Sequence, residues 1–377
     1  MKVAKTIPIA TLAILVAVCA AAAPTQATPG KPQIQLAILL DTSNSMDGLI
    51  DQARTQLWKV VNEFATAKRD GKSPELQVAL FEYGNDSLPA GEGHIRLVLP
   101  FTADLDKVSE DLFALKTNGG SEYCGQVIRE AVQKLKWSAS NQDLKVIFIA
   151  GNEPFTQGNA DYKKSCKEAI TKGIVVNTVF CGSKQEGIET SWKDGADLAD
   201  GRYMNIDQNY KPPEITAPQD AEITKLGTAL NSTYVAYGAT GRAGASRQLE
   251  MDEKAAAAAP SANVQRQAAK STQYYSNASW DLVDAKKEGT VDLDKMDVKD
   301  MPPEMQKMTA AERKAYVEKK AKERAEIQAK IKKLTEERNK YVAEEMKKAA
   351  GAGTNTLDAA VITAVREEAT AKGYKFQ

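Results

Sequence analysis

The sequence holds a single histidine, His94, in 377 residues. A zinc site built on imidazoles and a Ser-His-Asp triad therefore have almost no material. An excess of charge of one sign is missing too, because 50 Lys and Arg balance 50 Asp and Glu. A dedicated nucleic-acid binder would carry a basic excess, so nucleic acid is not an expected partner. Beyond residue 23 no stretch is apolar enough to span a bilayer. Neither a nucleophile–base pair nor a phosphate-binding glycine loop can be picked out, which argues against an enzyme.

What is present starts with Lys2 and Lys5, an apolar run over 7–23, and small residues with Pro24. A positive start, an apolar middle and a small-residue zone predict a secretory signal peptide over 1–27. The mature chain is then periplasmic or secreted. An uncleaved anchor is the competing reading, but the run is short and alanine-rich for a span. A lipoprotein is less favoured, because Val18 precedes Cys19 where a small residue would be expected. Cleavage leaves Cys124, Cys166 and Cys181. Outside the cytoplasm a disulfide is permitted, and an odd count leaves one thiol over.

The most informative stretch is an apolar run from Ile34 to Leu40 that ends in Asp41-Thr42-Ser43-Asn44-Ser45. The run predicts a strand buried on both faces. Past its end, Asp41, Ser43 and Ser45 offer one carboxylate and two hydroxyls to one loop. An all-oxygen set of this kind suits Mg²⁺ or Mn²⁺ that keeps some of its water. Held apart from metal, the Asp41 carboxylate would accept backbone N–H groups of its own turn.

From 33 to 237 strands alternate with helices. Strands are expected at 33–41, 76–83, 95–99, 144–150, 174–180 and 202–206, the second and third joined as a hairpin. Helices are expected at 47–68, 105–115, 124–135, 162–172, 186–199 and 220–237. The pattern predicts an α/β fold, a doubly wound, mainly parallel six-stranded sheet with one antiparallel edge. Asp41 then lies at a strand's carboxyl end, where open sheets bind ligands. Asp47 is expected to cap the first helix, and Glu82 to be edge polarity.

Asp-x-Ser-x-Ser at the end of a buried strand, with this order of elements, resembles the von Willebrand factor A family and its metal-ion-dependent adhesion site. The resemblance covers about half the chain. It implies a second loop whose hydroxyl, just after two glycines, binds the ion. Here Ser121 follows Gly119-Gly120, and Glu122 adds a carboxylate beside it. Ser and Glu also suit an ordinary helix start. The family ends its fourth strand with Thr-Asp-Gly, whose Asp binds through water. This chain has Gly151 at the aligned place, with Asn152 and Glu153 as substitute oxygens. The implied set is Asp41, Ser43, Ser45, Ser121, Glu122 and Glu153. The implied function is protein binding without turnover, in which a partner's carboxylate completes the ion's shell. The alternative is a metal-free scaffolding protein of the cell envelope that binds through its helical part.

Cys166, at a helix start, and Cys181, at the end of the next strand, are expected at the same sheet edge, so a Cys166–Cys181 bridge is predicted. Cys124 is a competing partner at that edge. After Tyr237 the composition shifts. Residues 238–303 read as a weak helix or linker with a docking cluster of Tyr274, Tyr275, Trp280, Leu282 and Val283. Residues 304–350 read as a long charged helix or helical hairpin. Its apolar seam is Ile327, Ile331, Leu334 and Tyr341, with Arg338 as an interruption, and a coiled coil is compatible with it. A C-terminal amphipathic helix is expected within 354–377.

Overall fold

The structure, a computed structural model, describes residues 31–211, 213–348 and 356–376. The signal segment expected over 1–27 lies outside the described residues, as does the glycine stretch 351–353. The apolar run forms β1, Gln33–Asp41, and α1, Asp47–Phe64, follows. A two-residue strand β2, Ala67–Lys68, leads to β3, Glu75–Tyr83, and a hairpin to β4, Ile95–Thr102. Next come α2, Leu105–Ala114, α3, Cys124–Lys134, β5, Leu144–Gly151, α4, Tyr162–Thr171, and β6, Val175–Cys181. Two short helices, α5, Lys184–Glu189, and α6, Trp192–Asp197, precede β7, Tyr203–Ile206. One helix was expected here, but Ser191 takes a left-handed φ of 72° and breaks it.

The main sheet has six strands in the order β4-β3-β1-β5-β6-β7. All pair in parallel except β4, which runs antiparallel to β3. The chain leaves β1 for β3 on one side and reaches β5 on the other. The crevice beyond the ends of β1 and β5 is thus the point where strand order reverses. Alternate residues of β1 serve opposite faces. Ala37 and Leu39 pack with α3, α4 and Trp192, while Leu36 and Leu40 pack with α1, α2 and the C-terminal helices.

This alternation overturns the predicted disulfide. Cys124, Cys166 and Cys181 are all free and buried. Cys166 packs in the α3/α4 layer beside Val176 and Phe180, whereas Cys181 points with Val179 into the α1 layer. Helix start and strand end do share an edge, but the two side chains lie on opposite sides of the sheet. A bridge needs Cβ atoms about 4 Å apart.

The C-terminal region is helical: α7, Asp220–Asn231, α8, Gly241–Ala258, α9, Pro260–Lys270, α10, Leu282–Glu288, and α11, Pro303–Gln306. Then follow α12, Ala310–Lys348, α13, Leu357–Ala371, and β8, Lys375–Phe376, which pairs with β2. The stretch 238–303, read as weak helix or linker with a docking cluster, thus holds the three helices α8, α9 and α10, with Pro260 at the first turn of α9. Arg266 of α9 is fully buried between Asp106 of α2 and Asp252 of α8. Tyr274 donates its hydroxyl to the Phe64 carbonyl at 2.9 Å. The C-terminal part is therefore fastened over the α1 face.

Within the described residues 310–348, α12 is one unbroken helix, not a hairpin. Its buried residues, Val317, Arg324, Ile331 and Arg338, recur every seven positions. Arg338, expected to interrupt the seam, belongs to it, because Asp220 of α7 meets its guanidinium at 2.6 Å. Arg324 is held by Asp281 at 2.7 Å and Asp284 at 2.9 Å. No helix among the described residues is long and apolar enough to cross a membrane.

α13 closes the same layer and brings Glu368 against Asn177 and Arg202. Burial pushes the Glu368 carboxyl up to about 7, while those two neighbours pull it down. Its folded-state value lies above the ordinary 4.5, so the folded chain holds the extra proton between about pH 4.5 and 7. Stability from this group is present below that window and is lost as pH rises through it. Glu368→Gln should therefore stabilise the chain at pH 8, by up to about 3 kcal/mol, and leave it unchanged at pH 4. Urea unfolding at both pH values checks this.

Candidate metal centre

Asp41 is the last residue of β1 and is fully buried. Its Oδ1 accepts the Ser43 N–H at 2.8 Å, which folds the loop back over the strand end. That is the turn-forming role expected of an Asp without metal. The loop is also pinned from both sides. Thr42 N–H donates to the Tyr83 carbonyl at 2.9 Å, and Asn44 N–H to the Gly119 carbonyl at 3.0 Å. Ser43 Oγ and Ser45 Oγ are 3.2 Å apart, and the Asn152 amide nitrogen donates to Ser45 Oγ at 3.1 Å. Three loops, after β1, β5 and before α3, thus meet at the reversal of strand order.

Glu122 completes the cluster. It is 2 % exposed, and its N–H donates to the Gln157 side-chain oxygen at 2.5 Å. Its carboxyl lies against that of Asp41. Burial pushes the Asp41 carboxyl up, opposed by hydrogen bonding with Glu122 and Ser43. The Glu122 carboxyl is pushed up to about 10, first by burial and then by Asp41 beside it. Two buried carboxyls in contact hold one proton between them when nothing else neutralises them. Glu153 stands further off and raises both by its charge. Ser121 is half-buried one residue before Glu122, and no hydrogen bond among the described residues ties it to the cluster.

The fit to a dication rests on orphaned atoms. Asp41 Oδ2 and Glu122 Oε2 are buried acceptors without a hydrogen-bond partner. Such oxygens are costly unless a cation or proton satisfies them. Asp41, Glu122, Ser43 and Ser45 present oxygen alone, the donor type of Mg²⁺ and Mn²⁺. Among the described residues no group of three or more His, Cys, Asp or Glu is placed to hold a metal. The set is two carboxylates and two hydroxyls, with Glu153 outside it.

Gly151 has a physical reason that the sequence does not reveal. A Cβ there would sit 2.4 Å from the Tyr83 hydroxyl and 3.0 Å from Asp41 Oδ2. That hydroxyl donates to the Ala150 carbonyl at 2.9 Å. Tyr83 thus fills the space of the missing side chain, and Glu122 supplies the second carboxylate from another loop. Gly84 is equally constrained, with φ +78° and a Cβ position 2.7 Å from both Asp41 Oδ1 and Glu122 Cγ. Restoring a family-like carboxylate by Gly151→Asp should therefore cost about 1–3 kcal/mol as overpacking. The cost should shrink when Tyr83→Ala is added, as measured by urea unfolding.

Two expectations about neighbours are corrected. Glu82 is buried behind the loop. It accepts from Thr42 Oγ1 at 3.3 Å and pairs with Arg96 at 2.5 Å, so it is not edge polarity. Asp47 is the first residue of α1, after the cap Met46, and it accepts from Thr117 Oγ1 at 2.5 Å. Tyr83, Gly84 and Gln157 build the site and carry no pattern that marks them in the sequence.

Residues 35–190 match the family model of the von Willebrand factor type A domain. No curated protein matches the chain. Among solved structures, a conserved hypothetical protein BatB from Bacteroides thetaiotaomicron is 15 % identical, with a TM-score of 0.36 over 46 % of this chain and 90 % of that one. A proximal thread matrix protein of the mussel byssus, whose adhesion-site motif is occupied by zinc, is 12 % identical, with a TM-score of 0.36 over 46 % of this chain and 42 % of its own. The pilus adhesin SpaC from Lactobacillus rhamnosus GG is 13 % identical, with a TM-score of 0.36 over 48 % and 28 %. The matched segment spans β1 to α5 and the loops around Asp41, and over these residues the chain has the fold of a von Willebrand factor type A domain.

Proposed function

We propose that the chain is a non-enzymatic, exported binding module that holds Mg²⁺ or Mn²⁺ at Asp41 and Glu122 and presents that ion to a protein partner. The observation that carries this reading is the pair of orphaned, buried carboxylate oxygens at the reversal of strand order. Asp41 and Glu122 would bind the ion directly, Ser43 and Ser45 would add hydroxyls, and Glu153 would act through water. When bound, the ion supplies an open coordination position for an oxygen atom of the partner. Asp41 keeps its bond to Ser43 N–H and so holds the loop ready. The rigid strand end, pinned at Thr42 and Asn44, holds the carboxylates in place before any partner arrives. Export rests on the lysines, apolar run and small residues of the first 27 positions.

The test is an electron paramagnetic resonance titration of free Mn²⁺ against the protein. One ion per chain, displaced by Mg²⁺ and absent in Asp41→Ala, supports the reading. No loss of the free Mn²⁺ signal contradicts it. The metal-free scaffold reading then gains, because the Ser43 N–H bond already gives Asp41 a structural task.

A further inference from the structure

The resemblance implies a partner carboxylate on the ion, but the charges at this site oppose one. Both carboxylates that face each other, Asp41 and Glu122, are buried, and together they cancel a dication. Glu153 is close enough to act on both by charge. The surrounding loops add exposed Asp47, bonded to Thr117, exposed Asp86, and exposed Asp207 next to Gln208, whose amide donates to the Ser45 carbonyl at 2.9 Å, against exposed Lys116. Asp86 belongs to the rim itself, because a Cβ on Gly119 would lie 2.2 Å from its Cγ. With the ion seated, Asp41 and Glu122 are compensated, and the charge left around them, from Glu153 and the rim, is negative. A third carboxylate entering it would lose its hydration and meet repulsion from Glu153 and the rim.

We infer that the partner group completing the ion's shell is a neutral oxygen, a hydroxyl or an amide carbonyl, carried on a lysine- or arginine-rich protein segment. This rests on the reading of Asp41 and Glu122 as ion ligands. The basic flanks would meet Glu153, Asp86 and Asp47 around the ion, and the neutral oxygen would add no charge to a centre already compensated. Complementary potential of this sort raises the encounter rate and suppresses partners of the wrong sign.

The experiment uses two fluorescently labelled peptides of equal length, one alternating lysine and serine, the other aspartate and serine. Anisotropy is read with the whole chain in Mn²⁺, and again after the ion is removed by a chelator. Mn²⁺ occupancy is followed in parallel by paramagnetic resonance. The lysine–serine peptide should bind at least about tenfold more tightly than the aspartate–serine peptide, only with Mn²⁺ present, and the preference should shrink in Glu153→Gln/Asp86→Asn. Equal affinities, a preference for the aspartate–serine peptide, or binding of neither by Mn²⁺-loaded protein overturns the inference while leaving the metal site standing. Failure of Mn²⁺ to bind removes the metal reading and this inference with it.

Discussion

Asp41→Ala should abolish the rise in melting temperature that millimolar Mg²⁺ or Mn²⁺ gives the wild-type chain. A ligand bound only by the folded state stabilises it by mass action, about 2.7 kcal/mol at a hundredfold excess over its dissociation constant. In a chain of this size that is a shift of several degrees. Asp41 carries the loss because it is fully buried at the strand end, with Oδ2 free to bind the ion. Glu122→Gln should lose the metal response as well, since the amide cannot replace a charge. Its metal-free melting temperature should equal or exceed wild type, because the buried Asp41 no longer faces a second acid. Ser43→Ala and Ser45→Ala should only weaken the response. Differential scanning calorimetry with and without metal reads all four variants. A wild type that does not shift, or an Asp41→Ala that shifts like wild type, removes the ion from the account.

Arg266→Ala should be the most destabilising single change, at about 3–5 kcal/mol. The guanidinium is 0 % exposed, meets Asp106 and Asp252 at 2.6 Å each, and donates to the Gln248 carbonyl at 2.9 Å. It also lies over the Trp58 ring, 4.7 Å from the centroid. Removing it leaves Asp106 buried with only the Tyr275 hydroxyl at 2.5 Å. Asp252 keeps Lys270. The double change Arg266→Met/Asp106→Leu should recover most of the loss, because an apolar pair leaves no orphaned charge. Urea unfolding of both variants checks this. A loss below about 1 kcal/mol in Arg266→Ala would mean that this buried ion pair adds little to the hold of α8 and α9 on α2.

The sheet was legible in the sequence because its strands are nearly continuous apolar runs, and the helices between them keep a clear period. Asp41 was legible for the same reason, as the first polar residue after such a run. The closing partner was less so. Glu122 reads in the sequence both as a carboxylate added beside Ser121 and as an ordinary helix-start acid, and only the packing of α3 against β1 sets it against Asp41. The cysteine pairing failed because topology fixes which edge a residue reaches, while the strand's alternation decides the face. Tyr83 filling the space beside Gly151 depends on a side-chain direction that no local pattern encodes. Arg338 read as a break in the seam of α12, since the sequence does not reveal that Asp220 waits opposite it.

The most direct measurement is anomalous diffraction from crystals of the whole chain grown with Mn²⁺. One peak is expected between the Asp41 and Glu122 carboxylates, within bonding reach of Ser43 and Ser45. No peak at that place, or occupancy only elsewhere on the surface, would contradict the account.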